Sequence, residues 1–169
     1  MGKEGHSWSM PVAVEDIPEA GLHLTLEAPD EAREALAREA GLRTLPKLTA
    51  VFDLERRGAG VRVCGQVSAR VGQTCGVTLE PMESDVEEAV DLVFAPPMAD
   101  GRKSKDDPPE PLIDGKIDLG AVAAEFLMLG IDPYPRKEGA HFDLPKSDDA
   151  GSKPFAALEA LKSKPGRKG

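Results

Sequence analysis

The sequence predicts an α+β fold: a curled antiparallel β-sheet, partly barrel-like, with two or three helices packed on it. Three observations predict it. Val61, Val63, Gly65, Val67, Ala69 and Val71 alternate cleanly with Arg62, Cys64, Gln66, Ser68 and Arg70, the period of a half-buried strand. The segments on either side repeat that period and are joined through glycine-rich turns, as in consecutive hairpins. Helical spacing occurs only before and after this centre, which segregates helices from strands. Hydrophobic residues make up 40% of the chain but aromatics only 4%, so the core must be built from Val, Leu, Ala and Ile.

Taken in order, Met1–Ser9 carry no apolar pattern and are expected to be a disordered end. Met10–Val14 reads as a short edge strand, since Pro11 removes a ladder donor. Leu22, Leu24 and Leu26 alternate as a strand. A helix then opens at Pro29-Asp30-Glu31 with Asp30 as its N-cap, and Ala32, Ala35, Leu36 and Ala40 mark its apolar face. Gly41 stops it. Leu48, Ala50, Phe52 and Leu54 give the next strand one apolar parity, and Arg56–Gly60 is a hairpin turn. After a break at Gly72–Pro81, Val86 to Phe94 forms a further strand, despite acids (Asp85, Glu87, Glu88, Asp91) that mimic helical spacing. Residues 95–110, with paired prolines and mixed charge, are expected to be a mobile loop. A short strand is expected within Pro111–Ile117. Asp118 caps a helix over Leu119 to about Gly130, apolar round much of its circumference, so Glu125 must be paired or at an edge. Two prolines then impose an extended path on Asp132–Lys137, and Pro154–Lys162 reads as a short helix with Phe155, Leu158 and Leu161 on one face. The expected unit is one domain over residues 10–164, with disordered ends at 1–9 and 165–169.

Charge and composition narrow the function. The net charge is −9, yet Lys153–Gly169 holds five basic residues against one acid, leaving −13 on the rest. An acidic body repels a phosphate backbone over about 8 Å at physiological salt. The acidic surface suits a basic protein partner, and the cationic tail suits RNA; the plain alternative is that both serve solubility. No run approaches the roughly 20 apolar residues of a membrane span, and the charged N-terminus does not resemble a signal peptide. A cytoplasmic protein without membrane contact is expected. Two cysteines and three scattered histidines fit no metal cage, so no metal and no cofactor are expected.

Catalytic patterns are wanting. Neither a nucleophile elbow nor a phosphate-cradling glycine loop is present. Cys75 with His141 or His23 as base is the nearest approach to a nucleophilic pair, and a buried cysteine serving as a small hydrophobe explains it as well. Nothing in the sequence brings Glu80 and Asp132 together as an acid pair. The expectation is no enzyme and no small-molecule substrate. Binding is better supported: Tyr134 offers a stacking face, Arg136 a planar donor fork and Lys137 a point charge. The structural alternative is that Tyr134 anchors a loop and Arg136 pairs with Asp132 or Glu125. Lys162 and Lys164, at the end of the last helical pattern, extend the candidate binding set. An interaction adaptor that uses this terminal helix as a groove ligand is the alternative function.

Four ordered pieces resemble the YceD family of large ribosomal RNA accumulation proteins, and in detail its alphaproteobacterial branch. They are Gln73–Pro81, Glu110–Gly120, the helix from Ala121 with Asp132–Lys137 behind it, and Pro154–Lys162. The resemblance implies a non-enzymatic factor promoting 23S rRNA accumulation and large-subunit assembly, through rRNA, a ribosomal protein or both. Many members of the family carry Cys-x-x-Cys where this chain reads Cys75-Gly-Val-Thr78, and some carry further cysteine pairs that suggest zinc. Thr78 and the absence of later cysteines mean that no metal site is carried over.

Overall fold

The computed structural model describes residues 7–97 and 109–142. Its elements are β1 (Pro11–Ala13), a 3-10 turn (Val14–Asp16), β2 (Leu22–Glu27), α1 (Asp30–Glu39), β3 (Thr44–Arg57), β4 (Gly60–Thr74), β5 (Pro81–Ala95), β6 (Glu110–Pro111), β7 (Lys116–Asp118) and α2 (Leu119–Gly130). A five-stranded sheet runs β2-β3-β4-β5-β6, and β1 pairs with β7 in a small second sheet. The pairs among β2, β3, β4 and β5 are antiparallel; the two-residue β6 joins β5 in parallel. The fold is α+β as expected. The sheet stays open rather than closing into a barrel, with β2 and β6 at its two edges.

Period-2 alternation decides what the sheet buries. Leu48, Ala50, Phe52 and Leu54 of β3 are fully buried, and so are Val61, Val63, Val67 and Val71 of β4. The facing side chains come from α1 (Ala32, Leu36, Ala37) and α2 (Leu119, Val122, Ala123, Leu127). Gly65 fits the close approach of β3 to β4: a Cβ there would lie 1.9 Å from the Val51 carbonyl oxygen. Gly130 lets α2 lie on β5, where a Cβ would meet Val86 Cγ1 at 2.4 Å. Among the described residues the other face of the sheet, with Asp53, Arg62, Gln66, Arg70, Asp85 and Glu87, carries no helix.

Several boundaries differ from the sequence reading. The α1 N-cap is Pro29, in extended backbone and without a side-chain cap bond, while Asp30 opens the helix and pairs with Arg33. The strand expected from Val86 begins at Pro81, because Arg70 of β4 draws Glu83 and Asp85 into the ladder. The single strand expected within Pro111–Ile117 is split into β6 and β7 by a turn at Asp114 (φ 52°) and Gly115 (φ 68°). Ser7–Ser9, expected in the disordered end, are held: Trp8 is buried, and the Ser9 hydroxyl donates to Asp118 Oδ2 at 2.6 Å. Asp118 caps α2 as anticipated, accepting from the N–H groups of Gly120 and Ala121. Glu125 lies on the exposed edge of α2 beside Leu129. Ala95 and Glu110, the ends of the expected loop, are in strands, and the stretch between 98 and 108 lies outside the described residues, as do the helix expected at 154–162 and Lys162 and Lys164.

Candidate functional site

The tight turn between β4 and β5 is the anchor for the Asp132–Lys137 segment. Cys75 is wholly buried at its base, with its N–H donating to the Glu80 carbonyl at 2.9 Å and its own carbonyl accepting from Leu79 at 2.9 Å. Leu79 adopts left-handed backbone (φ 59°), and its side chain is exposed. Its conformation costs roughly 1–2 kcal/mol for a residue with a Cβ, which the ring of hydrogen bonds round the turn must offset.

Four contacts then fasten the segment that leaves α2. Gln73 Nε2 donates to the Asp132 carbonyl at 2.8 Å, and Gly76 N–H donates to the Pro135 carbonyl at 2.8 Å. Lys137 N–H donates to Cys75 Sγ at 3.3 Å, and Lys137 Nζ pairs with Glu80 Oε2 at 2.8 Å. The Cys75 sulfur also accepts from Thr78 N–H at 3.4 Å. These donors, the Lys137 N–H foremost, favour the thiolate and pull the Cys75 pKa from 9.0 down to about 6. Lys137 likewise holds the Glu80 carboxyl below its ordinary range.

The cradle presents Tyr134 and Arg136 outward. Asp132 Oδ1 accepts from Tyr134 N–H at 2.8 Å, an Asx-type turn that turns the chain at the prolines. Tyr134 is 79% exposed, whereas Pro135 behind it is half-buried. Arg136 is exposed and forms no ion pair among the described residues; the expected pairing alternatives, Asp132 and Glu125, do not engage it. Lys137 is held differently, its charge matched by Glu80. Glu80 and Asp132, with no reason in the sequence to meet, reach the same corner, each with its own partner. Sequence reasoning missed Gln73, Glu80 and the sulfur's acceptor role. The run Gln73–Pro81 is the only signal that pointed there.

Neither His23 nor His141 is among the hydrogen-bond partners of Cys75; His23 Nδ1 pairs with Asp53 at 2.6 Å on the solvent face of the sheet. Among the described residues no three His, Cys, Asp or Glu side chains converge as a metal cluster would require. Among the described residues, no helix is long and apolar enough to cross a membrane. Cys64 faces outward beside Asp91, and burial together with that carboxylate raises its pKa. Arg62 grips Asp91 through two bonds of 3.0 and 2.8 Å and lowers the carboxyl's pKa.

The geometry is thus an open-faced sheet with Tyr134 and Arg136 exposed on a loop clipped to the Cys75 turn. Residues 63–162 match the family model described as large ribosomal RNA subunit accumulation protein YceD, and the chain belongs to that family. Membership ties it to ribosome biogenesis through accumulation of the large ribosomal RNA. No curated protein and no solved structure matches the chain.

Proposed function

We propose that this chain is a cytoplasmic, non-catalytic assembly factor that promotes 23S rRNA accumulation by binding rRNA together with a basic ribosomal protein. The observation that carries the reading is the family match over residues 63–162, which spans both the Cys75 turn and the Asp132–Lys137 segment it holds. Tyr134 and Arg136 supply a stacking ring and a planar donor fork on a pre-ordered loop, so little backbone freedom is lost on contact. Lys137 adds a positive charge that is shared with Glu80, and Lys162 and Lys164 add others from the C-terminal stretch. On the solvent face of the sheet Asp53, Glu55, Glu83, Asp85, Glu87 and Asp91 outnumber Arg57, Arg62 and Arg70, which pair with several of them, and this net acidity suits a basic protein. Assignment to the alphaproteobacterial branch rests on the four ordered pieces, the Asp132–Lys137 run among them. The working unit is one domain over residues 10–164.

Co-sedimentation with precursors of the large subunit tests this reading. Tagged wild-type protein is expected in those fractions, with retention falling steeply as salt rises. Arg136→Glu combined with Tyr134→Ala should shift it to the top of the gradient. Equal retention of the variant and the wild type would remove the loop from the interface. Absence of the wild type from every ribosomal fraction would favour an adaptor without a ribosomal role.

A further inference from the structure

One apolar groove is not used by the site above. It runs along the outer side of α2, floored by Leu92 and Phe94 of β5 and by Val122 and Phe126 of α2, with a volume of about 670 Å³. Leu129 and Ile113 stand at its edges, 70% and 73% exposed. Among the described residues its rim is acidic: Glu110, Asp114, Asp118 and Glu125 line it, against Lys116 alone among cations. Exposed leucine and isoleucine round a deep apolar trough mark a surface that is meant to be covered.

We infer that the covering element is the chain's own C-terminal segment, Pro154–Lys162, docked as an amphipathic turn of helix. Three observations support this occupant. Phe155, Leu158 and Leu161 recur at three-residue spacing and would fill an apolar trough along one side. The segment ends in Lys162 with Lys153 and Lys164 beside it, against Glu159 alone, a net positive charge complementary to the four rim carboxylates. The family match ends at residue 162, so this stretch belongs to the same family unit as β5 and α2. Reach is not limiting. Phe155 follows Phe142 by thirteen positions, and an extended chain of that length spans roughly 43 Å. Helix α2, along which the groove lies, is only about 18 Å long by its rise per residue. Tethering places the segment at an effective concentration on the order of millimolar, enough for a short helix that would be unstable alone.

The inference goes beyond the functional reading; where it holds, Lys162 and Lys164 face the groove's rim and the RNA-facing role is left to Tyr134, Arg136 and Lys137. The test is site-specific photocrosslinking in the purified full-length chain, with p-benzoylphenylalanine replacing the exposed Leu129. Irradiation should join position 129 to a peptide within 154–162 of the same molecule, and the yield should not change on about hundredfold dilution. Leu158→Glu with Leu161→Glu should cut that yield roughly tenfold, and so should raised salt or Glu125→Lys with Asp114→Lys in proportion to the charge removed. Trp8 emission reports that each variant is folded. Crosslinks between chains that scale with concentration would make a second copy the occupant and overturn the assignment. Absence of any crosslink to 154–162 in folded protein would overturn it as well.

Discussion

Replacing Asp118 with alanine removes four acceptor contacts at once. Its Oδ1 takes the N–H groups of Gly120 and Ala121, each at 3.1 Å, and that of Met10 at 2.7 Å. Its Oδ2 takes the Ser9 hydroxyl. Losing an N-cap costs about 0.5–2 kcal/mol, and a hydrogen bond to a charged group contributes about 1.5–3 kcal/mol. Water replaces part of these contacts at a half-exposed site, so the low ends apply and the expected loss is about 2–3 kcal/mol. Asp118→Asn keeps a capping oxygen without the charge and should lose about half as much. Urea unfolding followed through Trp8 measures it. That residue is the chain's single tryptophan, is buried, and presents its carbonyl to Gly120, where a Cβ would lie 2.8 Å away. The midpoint should fall with the slope unchanged. The carboxyl adds a pH signature: burial opposes its charge, but the Ser9, Met10, Ala121 and Gly120 donors outweigh burial and hold its pKa below 3.8. A depressed folded pKa means that the contribution is complete above the unfolded value and is lost as pH falls through the folded one. The gap between wild type and Asp118→Ala should therefore close in strong acid. A loss below about 0.5 kcal/mol, within the range of an ordinary surface substitution, or an Asn variant no better than Ala, would refute the reasoning.

Three further outcomes follow from the same contacts. Gly65→Ala forces a Cβ onto the Val51 carbonyl and should cost about 3 kcal/mol in thermal unfolding; a wild-type melting temperature would contradict the close approach of β3 to β4. In a Cys64→Ser background, thiolate absorbance should appear with a midpoint at about 6; because the folded value lies below 9.0, the thiolate's contribution to stability is complete above pH 9.0 and is lost as pH falls through 6. A midpoint at 9.0 would contradict the sulfur's donors. Lys137→Met removes only an exposed ion pair and should cost at most about 1 kcal/mol, whereas Lys137→Pro deletes the N–H on Cys75 Sγ and should raise the thiol's midpoint and loosen Asp132–Lys137 in hydrogen exchange.

How far the sequence carries can be read from particular residues. Strands β3 and β4 were legible because Leu48 to Leu54 and Val61 to Val71 keep one parity throughout, and one face of the sheet is dry. Helix α2 was legible because Asp118 signals its start and its apolar positions its course. The early start of β5 was not: Glu83, Asp85 and Glu87 look like solvated acids until Arg70 is placed across from them. Asp30 resembles a cap in sequence, yet the extended backbone of Pro29 takes that position. At the site, the sequence marked Tyr134 and Arg136 but left open whether they anchor the loop and pair with Asp132 or Glu125; the structure leaves both exposed. The bond from Lys137 N–H to Cys75, which are 62 positions apart, leaves no trace in side-chain pattern because its donor is backbone. The groove beside α2 was equally hidden, since the helix's apolar circumference implied complete burial and Leu129 is instead exposed.

The most direct measurement is the ratio of large-subunit to small-subunit RNA in cells of the source organism after the protein is depleted. The account predicts that 23S rRNA and free large subunits fall, that wild-type protein restores them, and that folded Tyr134→Ala/Arg136→Glu protein does not. Unchanged 23S rRNA and unchanged large subunits on full depletion would contradict it.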